Sequence, residues 1–71
     1  MSKKTKNELR VEWASSAIAN FRTSTGADEC DAVKDLLADL MHWCAANNQD
    51  FSKELKSATM HYEAEVKDPN A

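Results

Sequence analysis

The stretch Asp28–Asn47, DECDAVKDLLADLMHWCAAN, decides the fold. Its apolar residues are Val33, Leu36, Leu37, Leu40, Met41, Trp43 and Cys44. At 100° per residue they fill an arc of about 160°, the stripe of a helix with one buried face. The strict alternation that marks a half-buried strand is absent. Asp28 suits an N-cap. Glu29 and Asp31 would then occupy the first turn, where the helix dipole favours anions. Asn47-Asn48 suits the stop, because Asn tolerates the left-handed region. The spacing predicts a central helix over 29–47.

Working outward, a helix is predicted over 6–23. Thr5-Lys6-Asn7-Glu8 matches the capping box, in which each side chain satisfies the other residue's free backbone N–H. Leu9, Trp13, Ala14, Ala17, Ile18 and Phe21 follow at helical spacing. Thr23-Ser24-Thr25 weakens the helix, and Gly26 can take the left-handed conformation that ends it. On the other side a helix is predicted over 51–66, capped by Asp50. Phe51, Leu55, Ala58, Tyr62 and Val66 form a narrow seam of the kind that paired helices share. Asp68-Pro69 closes it, because the residue before proline avoids the helical region. Short connections predict antiparallel neighbours. The chain thus reads as one all-α domain over 1–71, a three-helix bundle with a frayed basic N-terminus 1–5 and a C-terminal tail 67–71. A homodimer is one way to complete it.

Seventy-one residues make one domain at most. The chain is 42% apolar and 30% charged with one Gly and one Pro, which excludes collagen-like, linker-like and disulfide-scaffold classes. It is too short for a large enzyme with a deep cavity. Eleven of the apolar residues are alanine, and Leu, Ile, Val and Phe together are also only eleven. That is about 15% of the chain, where globular proteins exceed roughly 20%. A core this thin is marginal alone, and self-association is one route to burying more.

The net charge of −3 is unevenly spread: residues 1–22 carry +3 and residues 23–71 carry −6. An acidic body disfavours direct contact with nucleic acid or an anionic membrane. No apolar run approaches the ~20 residues of a membrane span. No apolar stretch follows the lysines of MSKKTKNEL, so no signal peptide is read there. Cys30 and Cys44, placed on one helix, would stand ~21 Å apart and cannot pair. Two free thiols suit a reducing compartment, and a cytoplasmic location is expected.

The stretch Asp35–Glu65, with Leu36-Leu37-Ala38-Asp39-Leu40-Met41-His42-Trp43, Asp50-Phe51 and His61-Tyr62-Glu63-Ala64-Glu65, resembles a group of small helical proteins of bacterial, prophage and phage genomes. The resemblance covers somewhat under half the chain. It implies a compact helical fold and a mobile-element context. It carries no activity and no catalytic residue.

No chemistry-bearing constellation emerges from the residues. His42 and Cys44, two apart on a helix, diverge by ~200° and cannot grip one ion. His61 and Glu65 share a face but supply two ligands where zinc needs three or four, so a surface ion pair is the plainer reading. His42 projects away from the apolar arc. Cys44 lies within that arc, where a thiol is an inert small hydrophobe. Cys30 would feel the helix dipole, but Asp28, Glu29 and Asp31 oppose any lowering of its pKa. The expectation is therefore no catalytic residue, no metal and no cofactor.

Two surfaces remain. Asp28, Asp31, Asp35 and Asp39, spaced 3, 4 and 4, make an acidic stripe. Asp35 and Asp39 are expected beyond the first turn, uncompensated by the dipole. Such a stripe either meets a basic partner, imitating a nucleic acid, or simply keeps a thin-cored protein soluble. Trp13 and Trp43 flank their arcs, placed as core filler or as interface anchors. The sequence is thus read as a non-enzymatic helical interaction module binding itself or a larger host protein. Its expected partner-binding residues are Trp13, Trp43, Asp35, Asp39 and His42. The alternatives are an acidic, nucleic-acid-mimicking inhibitor of a host enzyme and a small metal-dependent catalyst.

Overall fold

Thr5 and Glu8 begin the first helix by satisfying each other. The Glu8 N–H donates to Thr5 Oγ1 at 3.2 Å, and the Thr5 N–H donates to Glu8 Oε1 at 3.1 Å. The structure is a computed structural model that describes residues 3–71. Met1 and Ser2, part of the expected frayed N-terminus, lie outside the described residues. Three helices follow in order: α1 (Lys6–Thr25), α2 (Ala32–Ala46) and α3 (Phe51–Lys67). Among the described residues there is no strand. None of the helices is long and apolar enough to cross a membrane.

Helix α1 runs two residues past its expected end. The hydroxyls of Thr23 and Thr25 donate back to the carbonyls of Ala19 and Phe21, so these residues are accommodated inside the helix. Gly26 then stops it at φ 76°, its N–H donating to the Arg22 carbonyl. Helix α2 starts later than expected. Residues Asp28–Asp31 form a tight turn closed by the Asp31 N–H on the Asp28 carbonyl, and the cap position falls on Asp31, whose side chain makes no capping hydrogen bond. Asp28 is therefore not the cap, and Cys30 precedes the helix. At the other end the left-handed residue is Asn48, at φ 57°. Asp50 caps α3 by accepting from the Lys53 N–H at 3.2 Å. The helix ends at Lys67, and Asp68 before Pro69 is extended.

The three helices do not form an up-down-up stack. At 1.5 Å per residue they are about 30, 22 and 25 Å long. In an up-down-up bundle the end of α3 would finish far from the start of α1. Instead the two meet. The Asn7 side chain donates to the Glu65 carbonyl at 2.8 Å, and its main-chain N–H donates to the Pro69 carbonyl at 3.0 Å. The Lys6 N–H reaches Asn70 Oδ1 at 3.3 Å, and Arg10 pairs with Glu65 at 3.5 Å and donates to the Ala71 carbonyl. Three rods joined end to end, with the last returning to the first, form a triangle. The molecule is accordingly a flat 41 × 28 × 19 Å plate. Its radius of gyration is 14.3 Å, where about 11 Å is usual for this length.

In a triangle the helices press on one another near the corners. Ala32, at the α1–α2 corner, is 1% exposed, and Cys44, near the α2–α3 corner, is 7% exposed. Among the described residues no other side chain is buried. Where α3 returns to α1, Val11 and Ala14 face Tyr62 and Val66.

Two substitutions probe this geometry. Nothing lies within 4 Å of a Cβ built on Gly26, so Gly26→Ala meets no clash and costs only the left-handed conformation. A loss of about 1 kcal/mol is expected in urea denaturation. Asn7→Ala removes the side-chain bond across the α1–α3 corner and should cost about 1 kcal/mol in the same measurement.

Candidate functional site

The most distinctive property of the surface is what it leaves uncovered. Val11 and Trp13 of α1, Val33, Leu37, Leu40, Met41 and Trp43 of α2, and Leu55, Met60, Tyr62 and Val66 of α3 are all exposed. The seam predicted on α3 is among them: Phe51 is half-buried at the corner, while Leu55, Tyr62 and Val66 along it have no covering helix. On α2 the residues Val33, Leu37 and Leu40, spaced 4 and 3, are likewise open along the arc that ends in buried Cys44.

Some of these residues line open clefts between helices. Val11 and Ala14 of α1 share an open cleft of about 380 Å³ with Tyr62 and Val66 of α3. Asn7, Arg10 and Glu65 line the same cleft. Between α1 and α2 a second depression brings Ile18 and Ala19 to Val33, with Arg22 and Glu29 beside them. Arg22 is held there by donating to the Ala27 carbonyl at 3.1 Å. The first cleft is walled by aliphatic and aromatic carbon and edged by the mutually bonded Asn7, Arg10 and Glu65.

The residues singled out in the sequence lie as follows. Trp13 and Trp43 are 61% and 56% exposed. Asp35 is half-buried, and Asp39 and His42 are exposed. Among the described residues, none of these five side chains makes a hydrogen bond or ion pair. The acidic stripe changes character. Asp28 and Asp31 precede α2, Asp31 accepts from Lys34 at 3.1 Å, and Asp35 falls inside the first turn, where the dipole offsets its charge. Only Asp39 stands on the helix uncompensated. His61 and Glu65 do not pair with each other: Glu65 is taken by Arg10, and both acids Glu54 and Glu65 border the shallow groove in which His61 lies. Among the described residues no group of three or more His, Cys, Asp or Glu is placed to hold a metal ion.

Arg10 and Asn7 are functional in the fold and carry no signal in the sequence, since nothing local announces a partner some sixty residues away. Lys4 is engaged as well. Its ammonium donates to Glu12, and that bond, followed by the attraction of the same carboxylate, raises its pKa above the ordinary lysine value.

In comparisons with known proteins, no family model, no curated protein and no solved structure matches this chain.

The two cysteines give a direct check on the arrangement. Cys30 is exposed and Cys44 is buried. One thiol should react with a disulfide reagent at once in the native protein. The second should react only at the rate at which the fold opens. Cys30→Ser should abolish the fast phase alone.

Proposed function

We propose that this chain is a non-enzymatic helical interaction module whose uncovered apolar surface is closed by another polypeptide, either itself or a larger host protein. One observation carries the reading. Eleven large apolar side chains are exposed on a chain that buries only Ala32 and Cys44 among the described residues. Soluble monomers expose scattered apolar residues, and so many on one small chain, some of them lining open clefts, support a surface that a partner covers. Trp13 and Trp43 are suited to anchor that contact, since Trp concentrates at interface hot spots. Completion of the helical bundle by a second chain is part of this proposal. The resemblance of residues 35–65 to phage and prophage proteins supports a mobile-element setting, and the two unpaired thiols support a reducing, cytoplasmic one.

The alternative of an acidic, nucleic-acid-mimicking inhibitor draws less support, because the stripe is broken by the late start of α2 and by the Lys34 contact. The two readings separate experimentally. Trp43→Ala, at an exposed position, should change stability by no more than about 0.5 kcal/mol. It should nevertheless weaken partner binding at least tenfold by titration calorimetry. Reversing Asp35 and Asp39 to Lys should leave that binding within a few-fold. The opposite pattern would establish the acidic face as the contact.

A further inference from the structure

Resting on the interaction reading, we infer that the occupant of the open face is a second copy of this chain, and that folding and dimerisation are one event. The accessible surface sets the scale. The chain exposes 6020 Å². A folded monomer of 7.9 kDa exposes about 4,400 Å² by the usual scaling, so the excess is about 1,600 Å². The full excess, doubled for two chains, falls in the roughly 2,000–5,000 Å² range of obligate homodimers.

Two further features favour a second copy over a foreign protein. The first is the lack of any interior. A chain whose only buried side chains among the described residues are Ala32 and Cys44 has little to hold it while it awaits a rare partner, whereas another copy is present wherever the chain is made. The second is the shape. The plate is 19 Å in its thinnest direction, and two such plates stacked face to face form a two-layer body with one shared core. The interface includes the α1–α3 cleft, where Val11, Ala14, Tyr62 and Val66 meet, and continues along the α3 seam to Leu55.

The test uses the full chain. Sedimentation equilibrium at tens of micromolar should give twice the chain mass, and the thermal midpoint should rise with protein concentration. Tyr62 is 67% exposed in the single chain, so Tyr62→Glu disturbs little within it. This substitution should nevertheless raise the dimer dissociation constant at least tenfold, and Tyr62→Phe should restore it. A dimer indifferent to Tyr62→Glu would remove the α1–α3 face from the interface. A monomer that binds a hydrophobic dye and melts without dependence on concentration would overturn the second copy while leaving the interaction reading in place. A monomer that melts cooperatively, binds no dye and shields both indoles from a soluble quencher would overturn both.

Discussion

Asn7 and Arg10, on the first turns of α1, hold the end of α3 against the beginning of the chain, and the rest of the geometry follows from that contact. Rods of about 30, 22 and 25 Å cannot both stack along a common axis and bring those two ends together. With the ends together the three helices form a triangle, and much of each apolar stripe is left open. The energetic balance is lopsided. A hydrogen bond nets about 1 kcal/mol, and a buried Leu-sized side chain contributes about 1.5–3 kcal/mol. The few polar contacts at the corner are outweighed by the carbon surface that the open form leaves wet.

Local signals were legible and distant ones were not. The capping box at Thr5–Glu8, the left-handed Gly26, the Asp50 cap and the stop at Asp68-Pro69 are rules of near neighbours, and each is present. The first helix outran its expected end because threonine hydroxyls found carbonyl partners one turn back. The second began late because residues 28–31 close on themselves through main-chain bonds, leaving Asp28 without a helix to cap. Neither choice is encoded in periodicity. The triangle was out of reach altogether, since it depends on Asn7 meeting Glu65 and Pro69, and amphipathic stripes are the same in a stack as in an open plate. The shortage of Leu, Ile, Val and Phe, by contrast, could be counted, and it corresponds to the near absence of buried side chains.

The same shift in register reorders the electrostatics of α2. Moving the helix start to Ala32 places Asp35 in the field of the free N–H groups and sends Asp31 to Lys34. What reads in sequence as a continuous acidic ribbon becomes two residues in a turn, one compensated residue and a single free carboxylate. The apolar side of this helix is thereby the more coherent of its two surfaces. Val33, Leu37 and Leu40 keep the spacing of a seam whether or not a partner is seated on them.

The meeting of Lys6 and Asn7 with Pro69 and Asn70 has a topological consequence. The backbone runs almost in a circuit, with hydrogen bonds bridging the last gap. Circular permutation is therefore geometrically open to this fold: a short Gly/Ser tether could span that gap, and new ends cut at Asn47–Asn48 would leave all three helices whole. Conversely, bulky fusion tags on both ends would crowd one corner and pry apart the contact that sets the plate's shape.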